Sequence, residues 1–107
     1  MSTNPAAISD ALARLWARFL PEIGTRIDVV AAAASAMAAD ALTAEVREKA
    51  HEAAHKLAGS LGTFGLQHGT DLARRAELAL AEDPISVSAA ELAAWVAELR
   101  AMVRSRT

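Results

Sequence analysis

The 107-residue sequence contains no cysteine and no tyrosine, and it has only two Phe, two Trp, three Pro and five Gly. Without cysteine the chain has no disulfide framework, no thiolate metal site and no cysteine nucleophile. This fits the reducing cytoplasm, where we expect the protein to act. Scarce aromatic residues, few helix breakers and abundant alanine favour packed helices over a sheet. The sequence therefore predicts an all-α protein.

The sequence also lacks a large excess of positive or negative charge, since the formal net charge is −2 and the pI is about 5.9. Neither nucleic acid nor an anionic membrane surface is therefore an expected partner. Residues 1–5 lack the basic and apolar parts of a targeting segment, and the alanine-rich stretch 29–41 is too short and too weakly apolar to span a bilayer. The length predicts one domain over residues 1–107, with its core at about residues 9–104.

Apolar spacing and capping signals divide the chain into helical segments. Ser9 or Asp10 can cap a first helix, and Pro21 is expected to end or bend it. A second apolar stripe begins at Pro21 and should fade near Asp40. Thr43 is a plausible N-cap for a third helix that should reach Leu61.

Two further segments complete the pattern. One runs from Leu66 to the Asp83-Pro84 step, and the last starts at Ser88, which forms a capping box with Glu91. Because the connections are short, we expect neighbouring helices to be antiparallel. The predicted fold is an up-and-down four-helix bundle with an additional N-terminal helix.

The third helix carries the most informative residue, His55. At about 100° per residue, the apolar positions lie roughly 160–240° away from it on the helix. These positions are Val46, Ala50, Ala53, Leu57 and Leu61. His55 should therefore point to solvent, where an accessible imidazole can act as a nucleophile or ligand. Gly59, one turn later on the same face, costs about 1 kcal/mol of helix stability and would let another surface approach the ring.

The segment 55–66 resembles the signature of the histidine phosphotransfer (HPt) family. In that family an apolar core residue, a glycine, a small residue and a second glycine follow the phosphoacceptor histidine by two, four, five and ten positions. Here His55 is followed at these positions by Leu57, Gly59, Ser60 and Gly65. The overall resemblance extends over about residues 10 to 104.

Two further positions bear on this resemblance. The step Ala76-Glu77 is similar to the Leu/Ala-Glu step that ends the family's next helix. Many members carry a lysine three positions after the histidine, where this chain has Ala58, and its only nearby lysine is Lys56. If a cation assists at the histidine, Lys56 must supply it from a different angle.

The resemblance implies a phosphorelay carrier in which His55 accepts a phosphoryl group from a receiver aspartate or a kinase and passes it to a receiver aspartate. It implies a response-regulator receiver domain as partner, together with a hybrid histidine kinase, and Mg²⁺ bound by the receiver rather than by this chain. The protein would be a monomeric phosphocarrier without catalytic machinery or cofactor of its own. Residues expected to support the site or receiver docking are Lys56, Gly59, Ser60, His51 and Gly65.

Two alternatives remain open. His51, Glu52 and His55 satisfy the spacing of a zinc metallopeptidase helix. That reading needs a third protein ligand, for which only Glu77 or His68 is at hand, and the metzincin continuation fails at Ala58 and Leu61. The second alternative is a non-catalytic helical bundle whose apolar faces mediate interaction while His55 is never phosphorylated.

Overall fold

A computed structural model describes residues 5–106, and over this range it contains four α-helices and no strand. The helices are α1 (Pro5–Ala38), α2 (Ala44–Thr63), α3 (Gln67–Ala81) and α4 (Ala89–Arg106). The all-α prediction is confirmed. None of the described helices combines the length and apolarity needed to cross a membrane. Residues 1–4, on which part of the targeting prediction depends, lie outside the described range, as does residue 107.

The prediction of an additional N-terminal helix is wrong, because α1 continues through Pro21 for 34 residues. A proline inside a helix costs about 3 kcal/mol. Here its ring lies on the exposed side, where the carbonyl that loses its partner can bond to water. Trp16 and Ile23 are both buried on the same face, one on each side of the proline. Burying each contributes roughly 1.5–3 kcal/mol, which offsets the cost of Pro21.

The first turns of α1 extend beyond the rest of the bundle. Residues 5–14 are all exposed, whereas Trp16 lies at the end of the bundle. Its ring packs edge-on against Phe64 at 5.1 Å between centroids, and the guanidinium of Arg106 lies 5.5 Å from its ring centre. The N-terminal extension is thus part of α1, and the molecule is 57 Å long but only 20 Å wide.

The predicted helix starts at Thr43 and Ser88 are confirmed. Thr43 Oγ1 accepts a hydrogen bond from the Val46 amide at 3.1 Å, and Ser88 Oγ accepts one from the Glu91 amide at 3.1 Å. Such caps satisfy backbone donors that have no partner within the helix. α2 passes the expected end at Leu61 and stops at Thr63, and the chain then turns through Gly65 at φ +71°.

Each helix packs against the next in sequence, and α4 returns to pack against α1. The fully buried larger side chains come from all four helices: Ile23, Ile27, Val30, Leu57, Leu61, Leu72, Leu80, Leu92 and Leu99. Because α1 and α3 cover the two flanks of α2, only one face of α2 is exposed. The candidate site lies on that face.

Candidate functional site

His55 lies on the outer face of α2, as its spacing predicts. Its side chain is 70% exposed, while Ala54 and Leu57 beside it are fully buried. α2 is held firmly by these apolar neighbours, so the position of the His55 backbone is fixed by the core. The imidazole is therefore presented to solvent from a rigid support.

The His55 ring is oriented by a carboxylate on the neighbouring helix. His55 Nδ1 lies 2.7 Å from Glu77 Oε2, and the Glu77 side chain is only 24% exposed. A carboxylate accepts hydrogen bonds, so this contact favours the tautomer with the proton on Nδ1, which has its lone pair on Nε2. Nε2 is the nitrogen that faces away from Glu77. The arrangement prepares one defined ring nitrogen for nucleophilic attack or ligation.

Glu77 is the site residue that sequence reasoning missed. The sequence singled it out only as part of the Ala76-Glu77 step and as a possible metal ligand, not as a partner of the imidazole. Glu77 lies 22 residues after His55 in the sequence. The available signal is the tight turn after α2, which makes α2 and α3 antiparallel neighbours. Counting outward from that turn places positions 55 and 77 at similar heights.

Gly59 leaves open space on the same face as His55. Apart from its own stretch of α2 backbone, a Cβ atom built there would meet no atom of the described residues within 4 Å. At Gly69, by contrast, a Cβ atom would lie 2.7 Å from Met102 Sδ, so packing between helices accounts for that glycine. Within residues 5–106, no packing contact requires the glycine at position 59.

Lys56 lies beside His55, on the side of α2 that faces α1. Its ammonium contacts Glu52 Oε1 at 2.8 Å, one turn earlier on the same helix. The hydrogen bond and the positive charge of Lys56 lower the pKa of the Glu52 carboxyl below its usual value. The positive charge of Lys56 is therefore paired with Glu52 on the same helix as the imidazole.

The remaining predicted residues are distributed around this centre. Ser60 Oγ accepts a hydrogen bond from Arg26 Nη1 at 3.0 Å, so Ser60 faces α1 rather than lying next to the imidazole. Gly65 forms the turn after α2, with its amide donating to the Gly62 carbonyl at 3.1 Å. His51 is half-buried one turn before His55. The structure thus brings His55, Glu77 and Gly59 together, while Ser60 and Gly65 lie elsewhere.

Metal ligation is a further possibility raised by the His51, Glu52 and His55 spacing. Among residues 5–106, no group of three or more His, Cys, Asp or Glu side chains is arranged to hold a metal ion. His68, considered as a third ligand, lies 3.6 Å from Glu98 of α4.

The fold and site define a four-helix bundle that presents one oriented, accessible histidine on a helix of its core. Sequence comparison agrees with this class, since a family profile described as Hpt domain matches residues 14–105. The chain therefore belongs to the Hpt domain family, whose members are phosphocarriers with a histidine phosphotransfer role in phosphorelays. Comparisons with curated proteins and with solved structures gave no match.

Proposed function

We propose that His55 is the phosphoacceptor of this domain and that Nε2 is the atom that carries the phosphoryl group. The observation that supports this most directly is the contact of 2.7 Å between His55 Nδ1 and Glu77 Oε2. The His55 side chain that makes this contact is still 70% exposed. A ring held in this way offers its second nitrogen to a partner without a change of tautomer.

The donor in this proposal is the aspartyl phosphate of a receiver domain. The Nε2 lone pair attacks phosphorus, a P–N bond forms, and the P–O bond to the receiver aspartate breaks with release of its carboxylate. The ring then carries positive charge, because Nδ1 still holds its proton. The Glu77 carboxylate accepts the hydrogen bond that Nδ1 donates, and its negative charge offsets the new positive charge of the ring. The reverse sequence returns the phosphoryl group to a receiver aspartate.

In this proposal the receiver domain supplies the groups that neutralise the phosphoryl charge during transfer. Phosphoryl transfer depends mainly on positioning and on neutralising charge on the phosphoryl oxygens. We expect the receiver to bring the Mg²⁺ ion and the acidic pocket, and this domain to bring a rigidly supported nucleophile. The open space at Gly59 gives the receiver backbone room to approach the imidazole.

The first experiment exposes the protein to a panel of receivers carrying ³²P on their aspartates. We expect transfer of label to this chain, stable in base and labile in acid as for a phosphoramidate bond, with the labelled peptide containing His55. Addition of an unphosphorylated receiver should then remove the label. Failure to label with every receiver, and also with the small donor phosphoramidate, would refute the proposal and favour a purely structural bundle.

A second test addresses Glu77 as a positioning residue. Glu77→Ala should slow phosphorylation of His55 about tenfold, because the ring loses the bond that fixes its orientation. Glu77→Gln should retain most of the rate, since its amide oxygen can still accept from Nδ1. Imidazole ¹⁵N spectra should show the Nδ1–H tautomer in the wild type and in Glu77→Gln, and a mixture of tautomers in Glu77→Ala. Equal rates and equal spectra in all three proteins would contradict this role.

A further inference from the structure

Two arginines on α3 have no partner among residues 5–106. Arg74 and Arg75 are both exposed, and within the described residues neither forms a hydrogen bond or an ion pair. The cations of α2 are all engaged: Arg47 donates to the Leu80 carbonyl, and Lys49 and Lys56 pair with Glu45 and Glu52. On α1, Arg26 binds both Glu22 and Ser60.

The register of α2 against α3 places Arg74 level with His55. His55 contacts Glu77, and the Ala58 carbonyl accepts a hydrogen bond from Thr70 Oγ1 at 3.4 Å. Between these two contacts the helices run antiparallel, so Arg74 lies at the height of the α2 turn that contains His55. Arg74 is therefore an exposed arginine of α3 at the height of the nucleophile.

The two arginines differ in direction. Arg74 precedes Glu77 by three positions, which is a rotation of only about 60° around the helix axis. Arg75 is rotated about 160° from Glu77. Since Glu77 reaches His55, Arg74 lies on the half of the exposed α3 face next to α2, whereas Arg75 lies on the half near α4.

On the side of His55 that faces α3, α2 has no cation of its own. Ala58 is only 7% exposed and lies at the junction with α3, so α2 itself supplies no cation on this side of the imidazole. Lys56 is on the opposite side of His55, and its charge is shared with Glu52. A phosphoryl group on Nε2 would carry two negative charges, which a planar guanidinium matches with paired hydrogen bonds.

We propose that Arg74 is a catalytic residue of the phosphotransfer reaction, donating hydrogen bonds from α3 to the non-bridging oxygens of the phosphoryl group as it forms its bond to His55. This inference rests on the proposed phosphoacceptor role of His55. It assigns to α3 both the group that orients the ring, Glu77, and the group that neutralises the phosphoryl charge. No atom is gained or lost by Arg74, which keeps its charge throughout.

The test uses phosphoramidate as the donor, so that no receiver surface is involved, and measures phosphohistidine formation by ³¹P NMR. Arg74→Ala should lower the rate of His55 phosphorylation about tenfold, equivalent to ~1.4 kcal/mol. Arg74→Lys should recover part of that loss. Arg75→Ala is the matched control, because it removes the same charge from the same helix, and its rate should stay within about twofold of the wild type.

The outcomes separate this inference from the proposed function. If the wild type forms no phosphohistidine with phosphoramidate or with any phosphorylated receiver, the proposed function itself fails, and the role of Arg74 fails with it. If the wild type is phosphorylated but Arg74→Ala and Arg75→Ala react at equal rates, His55 remains the acceptor and the role of Arg74 is refuted. A loss seen only with a phosphorylated receiver, and not with phosphoramidate, would also refute it, because Arg74 would then contact the partner protein. Circular dichroism should show unchanged helicity in all three variants.

Discussion

Replacing His55 by glutamine is expected to reduce phosphoryl transfer to background. Glutamine keeps a polar side chain on the exposed face but has no nucleophilic nitrogen, so no P–N bond can form. The measurement is transfer of ³²P from a phosphorylated receiver. Since His55 is 70% exposed and the substitution removes only its contact with Glu77, the free energy of unfolding should change by no more than about 1.5 kcal/mol.

His51→Gln is the matched control for this substitution. It removes an imidazole one turn away on the same helix that is expected to support docking but not to accept the phosphoryl group, so label should still appear on His55, at most at a reduced rate. Residual label in His55→Gln that disappears only when His51 is also changed would contradict the assignment of His55. Stoichiometric bound zinc that is lost in both single variants would instead favour the metal-site alternative.

Replacing Leu80 by alanine is expected to lower the free energy of unfolding by about 3 kcal/mol. The Leu80 side chain is fully buried. Its truncation loses transfer free energy and leaves a cavity that the packed helices fill only partly. For a domain of about this size, such a loss should lower Tm by roughly 10 °C or more. Urea denaturation followed by far-ultraviolet circular dichroism measures the change.

Leu78 provides the comparison on the same helix, two positions away. Its side chain is 69% exposed, so Leu78→Ala should alter the free energy of unfolding by less than about 0.5 kcal/mol. Similar losses for both variants would mean that α3 does not pack as described. A large loss for Leu78→Ala alone would indicate that this residue is covered in solution.

Local sequence signals were sufficient for most of the secondary structure. Thr43 and Ser88 begin helices because their side chains bond to backbone amides only three residues away. Gly65 turns the chain because its conformation at φ +71° is one that glycine adopts readily. These are interactions within a few residues, which a sequence pattern records directly.

Pro21 is the local signal that misled. On its own it predicts a break, and the sequence pattern contains no measure of the burial that opposes the break. Trp16 and Ile23 are held by the other helices, and this packing keeps α1 continuous. The helix stays intact because the free energy gained by burying these side chains against the other helices exceeds the cost of about 3 kcal/mol for a proline inside a helix.

The sequence by itself determined an all-helical chain, the exposed side of α2 on which His55 lies, and the resemblance to the Hpt family that the family profile confirmed. Those features depend on residue type and on spacing along one helix. Only the tertiary structure decided that Glu77 meets His55 and that Ser60 turns towards Arg26. The reason is physical: these relations depend on the register and rotation of one helix against another, which packing of the whole core sets.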